Sequence, residues 1–340
     1  MMNKMNVEEF SMKATIQKLT EAYGPSGFEN QVRGVIKDLI KPLEGNVDAM
    51  GNLIVRMGVK KKNGLKIMIA AHMDEIGVMI SHIDENGFAR FSPIGGVYVR
   101  NCIGGRVRFA DGTTGVIGIE KLESADKLPG IDKLFIDTGT VNRKDSRVKI
   151  GDTACFERSF IDMGSRLVSK AMDDRIGCAV VVEAMKEIKD SPHELIFVFS
   201  TQEEVGLRGA TAAAYSVDPE IGISVDVTPV GDTPKGTRMA VNLGKGPAIK
   251  VRDGGMISDP RLVNALSSTA QKARIPCQRE VLEGGTTDAR VMQISRAGMP
   301  AACISIPCRY VHSPSEMVDH NDVENSVKLL VALLSKPIVI

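Results

Sequence analysis

LIFVFSTQEEVGLRGA, residues 195–210, is the stretch whose reading decides the fold. Its first six positions are almost wholly apolar and rich in β-branched and aromatic side chains, the pattern of a strand buried on both faces. Two adjacent carboxylates, Glu203 and Glu204, follow at once, and then Gly206. Open α/β sheets place their ligands beyond the carboxyl ends of parallel strands, which is where these charges fall. Neighbouring side chains on a strand point to opposite faces. Both glutamates therefore serve one site only if the chain leaves strand geometry here, and Gly206 makes that easy.

Working outward, the same arrangement recurs. LKIMIAAH (65–72) is an apolar strand ending on His72, with Asp74 just beyond. A strand expected over 221–227 carries Asp226, and another over 301–306 leads to Tyr310-Val-His312. SKAMDDR (169–175) sets Asp173 and Asp174 before a helix expected over 176–188, where negative charge is favoured by about 0.3–1 kcal/mol. Other helices are expected over 8–23 (with Phe10 on its apolar face), from a capping box at Ser26-Gly-Phe-Glu29 through Leu43, and over 210–215, 260–273 and 323–334, the last capped near Asn321. Strands are expected over 51–57 and 244–251.

Alone, each acidic or imidazole group has an ordinary explanation as a turn residue, a helix cap or a solvated loop charge. Their joint placement at strand ends points to one site, because parallel strands bring distant carboxyl ends to one edge. Two histidines, several carboxylates and no cysteine form a donor set suited to Zn²⁺, Co²⁺ or Mn²⁺. An Asp shared by two ions about 3.5–4 Å apart makes a two-metal hydrolase site. One remaining Glu is then free to take a proton from the attacking water.

Residues 76–162 have a different texture, with short alternating runs broken by turn signals such as Gly95-Gly96, Gly104-Gly105 and Asp111-Gly112. They read as a small all-β barrel. The expected fold is α/β, a mixed sheet flanked by helices, with this barrel inserted. Residues 1–75 and 163–340 form the catalytic domain and residues 76–162 the insertion.

The chain has 340 residues, 43% hydrophobic and 25% charged, with formal net charge +1. That balance favours neither nucleic acid nor an anionic membrane as partner. The absence of Trp and an aromatic content of 4% remove base-stacking platforms. MMNKMNVEEF at the start lacks a signal-peptide core, and no stretch approaches the roughly 20 apolar residues of a membrane span. Six cysteines without a CxxC pair read as reduced thiols, so a cytoplasmic location is expected.

AAHMDEIG (70–77), SKAMDDRIG (169–177), STQEEVGLRGA (200–210), SVDVTPVGDTP (224–234), GGTTDA (284–289) and RYVHSPSE (309–316) together resemble the tetrahedral (TET) dimetal aminopeptidases. That family is also filed as glutamyl or deblocking aminopeptidases and under the label cellulase M. The resemblance spans almost the whole chain and includes the β-insertion. It implies two divalent ions, zinc or cobalt, one held by His72, Asp173 and Asp226, the other by Asp173, Glu204 and His312. Asp173 rather than Asp174 would bridge, with a cis peptide expected between them. Glu203 would be the general base, and Asp74 would orient His72. The resemblance also implies peptide substrates cut from the N-terminus, and self-association through the insertion into a tetrahedral dodecamer built from dimers.

Two readings of other classes fit the residues less well. An endo-β-glucanase-type glycosidase needs two carboxylates flanking a bond and usually aromatic platforms, which a chain without Trp lacks. A non-catalytic scaffold of the same fold should have lost part of the ligand set. Among the remaining residues, Thr286, Thr287 and Asp288 either line the cleft or form a turn. Lys170 and Arg175 read as solvated charges at a helix start, and His82, His193 and His320 as surface residues. Arg252 was weighed as a selector of acidic side chains. The residue types leave the preferred N-terminal residue and the choice of metal open.

Overall fold

Buried from both sides, four parallel strands form the centre of the molecule, and the alternation of their side chains explains its layers. The computed structural model describes residues 11–122 and 128–340. Helices α1 (Met12–Glu21) and α2 (Asn30–Leu39) precede strands β1 (Leu53–Met57) and β2 (Lys66–His72). Then come β3 (Gly77–Ile83), β4 (Ala89–Ile94), β5 (Arg106–Phe109), β6 (Thr114–Ile119), β7 (Leu134–Asp137) and β8 (Thr153–Phe156). The chain continues through β9 (Arg166–Ser169), α3 (Met172–Glu187), β10 (Glu194–Ser200), α4 (Arg208–Val217) and β11 (Ile221–Thr228). It closes with β12 (Ala248–Arg252), α5 (Pro260–Ala273), β13 (Gln278–Val281), α6 (Ala289–Gln293), β14 (Ala301–Arg309), β15 (Glu316–Asp319) and α7 (His320–Leu334).

The large sheet runs β1–β10–β2–β11–β14–β15–β9, with two-residue strands at 46–47 and 161–162 on its edges and β12–β13 joined to β14. Within it β10, β2, β11 and β14 are mutually parallel neighbours. Ile67, Ile69 and Ala71 share one face with Phe197, Phe199, Ile223 and Val225, packed against α1, α3, α5 and α7. The alternate residues Met68, Ala70, Ile196 and Val198 face Ala213 and Ala214 of α4 and Met292 of α6. Burial on both faces is why these strands read as unbroken apolar runs. Helix α3, between the sheet and α1, is buried from Met172 through Val182, which accounts for its small and branched residues.

The insertion is a closed antiparallel barrel in the order β3–β4–β7–β6–β5–β8, with its own core of Val78, Ile80, Val107, Ile117 and Ile136. Closure leaves it no free strand edge. It leaves the large sheet directly after Glu75. At Gly77 the backbones approach so closely that a Cβ would stand 2.7 Å from the Ala154 carbonyl oxygen. The mixed α/β sheet with helices and an inserted closed barrel is the expected fold class.

Several local expectations need correction. Helix α1 is capped by Ser11, whose side chain accepts from Ala14 N. Phe10, expected on its apolar face, lies outside the described residues. The box at Ser26-Gly-Phe-Glu29 does not form: the Ser26 hydroxyl donates to Asp74 Oδ2 at 2.6 Å, and Glu29 Oε1 accepts from Gly27 N and Gln202 N. A tertiary acceptor has drawn the hydroxyl away from the local backbone N–H. Helix α2 stops at Leu39 rather than Leu43, since Pro42 cannot continue it. Asp319, not Asn321, caps α7. Short β9, β13, β15 and α6 lacked enough periodic residues to be foreseen.

Lys170 and Arg175 are not solvated. Their side chains are 3% and 0% exposed, and both bind Glu75, at 2.7 and 3.3 Å. Backbone carbonyls of Leu19, Ala22 and Gly24 supply further acceptors for Arg175. His193 is likewise buried, its Nδ1 accepting from Leu65 N and its Nε2 facing Lys336 O. Removing one partner of a buried charge set leaves the others uncompensated, at about 3–5 kcal/mol. Glu75→Gln is therefore expected to lower stability by about that amount in urea unfolding. Asp38→Asn, at an exposed pair with Lys41, should leave the midpoint unchanged. Equal midpoints for the two variants would refute this account of the buried set.

Candidate metal centre

Strand register places the first components of the site. Ser200, the last residue of β10, stands beside His72, the last residue of β2. On β11 the odd-numbered Ile221, Ile223 and Val225 face the α3 layer, so Asp226 points to the opposite face, as His72 does beyond Met68 and Ala70. After Ser200 the chain abandons strand geometry. Gln202, Gly206 and Leu207 all have positive φ, at 55°, 119° and 57°. In this turn Glu203 N and Glu204 N both donate to Asp74, to Oδ1 at 3.0 Å and Oδ2 at 3.2 Å. Two successive glutamates thereby serve one site.

The seven residues singled out in the sequence converge. His72 Nε2 lies 3.0 Å from Asp173 Oδ1, and His312 Nε2 lies 3.4 Å from Asp173 Oδ2. Glu204 Oε2 is 3.2 Å from His312 Nε2. Glu203 Oε2 and Asp226 Oδ1 each stand 3.9 Å from His72 Nε2. Asp74 Oδ1 is 3.4 Å from the other ring nitrogen of His72. The Asp173–Asp174 peptide is cis, as expected. The two carboxylates then go different ways. Asp174 accepts from His72 N and Gly177 N, so both its oxygens are engaged by backbone. Asp173 turns one oxygen to each histidine.

Burial, and after it the charge of neighbouring carboxylates, pushes Asp226 and Asp174 well above the usual carboxylate range. Burial also raises Glu203 and Glu204, against the pull of His72 on the first and of His312 on the second. Burial alone would depress the imidazoles. Instead Glu203, Asp173 and Asp74 hold His72 well above its ordinary value, and Asp173 and Glu204 carry His312 to about 12. Asp173 itself is held low, since its hydrogen bonds to both imidazoles outweigh burial. The pocket is a buried excess of carboxyl groups over imidazoles.

Such a pocket fits cations. Ligand atoms of His72, Asp173 and Glu204 lie within 4.8 Å of one another, and those of His72, Asp174 and Asp226 do so too. Glu204 Oε1 is buried and has no hydrogen-bond partner among the described residues. Nitrogen and carboxylate donors without thiolate suit zinc, cobalt or manganese.

Two supports were not foreseen. Glu316 accepts from Asp173 N at 2.9 Å with one oxygen and from His312 N at 2.7 Å with the other, tying two arms of the site together. Its only sequence signal is its place in the stretch that ends RYVHSPSE. The barrel also reaches the site: Asn101 Nδ2 donates to His312 O at 3.1 Å, and a Cβ on Gly96 would run into the His312 ring. Thr286 and Thr287 line the cavity in front of the cluster, as does Lys250, whereas Asp288 sits behind it with the Ser200 hydroxyl donating to it. His82, His193 and His320 are outside the cavity. Arg252 does not line it either.

A partner that orients ligands in this way is worth about 10–100-fold in metal affinity. Glu316→Gln, which keeps one acceptor and loses the other, is expected to weaken Zn²⁺ or Co²⁺ binding by that factor in calorimetric titration. Unchanged affinity would remove Glu316 from the site.

A family model described as M42 glutamyl aminopeptidase matches residues 51–329. The chain is similar to a lysyl aminopeptidase of Pyrococcus furiosus, 36% identical over 94% of this chain and 96% of that protein. Among solved structures it is similar to an aminopeptidase of the archaeon Desulfurococcus kamchatkensis, with TM-score 0.91 and 40% identity over 95% of this chain and 94% of that one. It also matches the TET1 peptidase of Pyrococcus horikoshii, which can assemble into a tetrahedron or a large octahedral shell. There the TM-score is 0.87 and the identity 34%, over 96% of this chain and 100% of that one.

Proposed function

The chain belongs to the M42 glutamyl aminopeptidase family, and from that membership we propose that it is a two-metal aminopeptidase releasing N-terminal residues from peptides. The observation that carries this reading is Asp173, with one oxygen toward His72 and the other toward His312. A carboxylate so placed suits two adjoining ions. His72 and Asp226 complete one set, and Glu204 and His312 the other. Asp174, held by two backbone N–H groups, positions the turn rather than the ions.

When bound, the two ions supply the positive charge that polarises a scissile carbonyl and acidifies a water. The remaining steps fall to side chains. Glu203 lies beside this set without belonging to it, and burial raises its affinity for a proton. It accepts the proton of the attacking water and returns it to the leaving amine. Asp74 holds the Glu203 backbone and stands at His72 Nδ1, which keeps Nε2 turned to the cluster. The surrounding carboxylates attract the free α-ammonium of a substrate, consistent with removal from the N-terminus. Six free cysteines, five of them buried, fit the cytoplasm as the place of action.

Hydrolysis of aminoacyl chromogenic amides is expected to stop after chelation and to return with Co²⁺ or Zn²⁺. Glu203→Gln should lower kcat by about 10²–10⁴-fold while elemental analysis finds the metals still bound. Undiminished cleavage by the metal-free protein would sink the reading.

By likeness to TET1 we assign the barrel to self-association, in a tetrahedral dodecamer built from dimers. Tyr98, Ile103, Val116 and Val141 are exposed apolar side chains on or beside the barrel strands. Light scattering is expected to give the mass of twelve 36.7-kDa chains. A monomeric mass would refute the assembly.

A further inference from the structure

The cavity before the carboxylate cluster has a volume of about 530 Å³, within the range of small-molecule sites. Away from the cluster its wall is aliphatic, made by Leu207, Val227, Pro229, Leu282, Val291 and Ile294. Ile294, a large aliphatic group 68% exposed, stands in this wall. Two cations also line the space, Lys250 and Arg290. Lys250 is fully buried, and its ammonium is engaged by Glu280, whose same oxygen accepts from the Thr228 hydroxyl at 2.8 Å. Arg290 is solvent-exposed. Among the described residues, the only carboxylates lining the cavity are those of the proposed metal centre, Asp173, Glu203, Glu204 and Asp226.

On the aminopeptidase reading above, we infer that this wall selects substrates whose N-terminal side chain is an unbranched or γ-branched aliphatic of medium size, leucine or methionine, and that it rejects lysine and arginine. A basic side chain would enter beside two cations and find no lining carboxylate beyond the metal ligands and the general base Glu203 to receive it. An acidic side chain would find Lys250 already paired with Glu280. It would be left with Arg290, whose exposure to water makes such a pair weak. An aliphatic side chain loses nothing on entry and covers the apolar wall, Ile294 included. This preference would separate the chain from its lysyl relative.

The test uses the protein restored with Co²⁺ or Zn²⁺ and the p-nitroanilides of leucine, methionine, glutamate, lysine and arginine. The best aliphatic substrate is expected to exceed glutamate, lysine and arginine by at least about tenfold in kcat/KM, the scale on which an apolar pocket discriminates. A lysine, arginine or glutamate substrate equal to leucine overturns the inference while leaving the aminopeptidase reading intact. Cleavage of none of the five overturns both. Ile294→Glu is a second arm, at an exposed position where the fold tolerates a charge. By removing apolar cover from leucine and adding only a weak exposed pair for lysine, it should raise the lysine-to-leucine ratio by about threefold or more. An unchanged ratio in a folded variant means that Ile294 does not meet the side chain, and the inference falls.

Discussion

Asp74 has no solvent exposure, and its contacts join three parts of the molecule. Its two oxygens accept the Glu203 and Glu204 N–H groups, the Ser26 hydroxyl donates to it, and it stands against His72 Nδ1. Burial alone would push its proton affinity up, but His72, Ser26 and the Glu203 amide outweigh burial and keep it ionised. One buried anion thus joins the end of β2, the turn after β10 and the loop before α2. With the turn's own backbone hydrogen bonds, this acceptor holds the two glutamates out of strand alternation and on one side of the chain.

Glu75, the next residue, works in the other direction. It receives Lys170, Arg175 and the Gly24 amide, all on the side of α1 and the barrel. Successive side chains thereby separate two buried systems, one rich in carboxyl groups and suited to cations, the other pairing Glu75 with a lysine and an arginine. This division lets a barrel leave the sheet three residues after a site histidine without disturbing it. Contact returns from the far side, where the Gly95–Gly96 loop and Asn101 lie against Glu204 and His312.

The strands, their order of chemistry and the barrel were legible because each is a local pattern. β10 and β2 are apolar without break since both faces are covered, and His72 and the Glu203–Glu204 pair stand out against that background. The barrel announced itself through glycine-bearing turns between short alternating runs. What escaped notice lacked a local pattern. Glu316 is one acid among many until two amides from distant segments meet on it. Lys170 and Arg175 look like solvated helix-start charges because nothing near them in sequence shows that Glu75 lies within reach. Ser26 had a plausible local backbone donor and instead donates to a remote carboxylate.

By itself, then, the sequence determined the fold class, the family resemblance and the candidate residues of the site, since periodicity and residue type are properties of short stretches. Tertiary structure decided which of two adjacent aspartates faces the histidines. Asp173 and Asp174 are identical in chemistry and share a turn. They differ only in what surrounds them: backbone amides engage one, two imidazoles meet the other. Tertiary structure also showed that Lys250, not Arg252, lines the cavity and that Glu280 already engages its charge. Burial and pairing set the effective charge of a side chain, and both arise only when strands far apart in the chain are brought together.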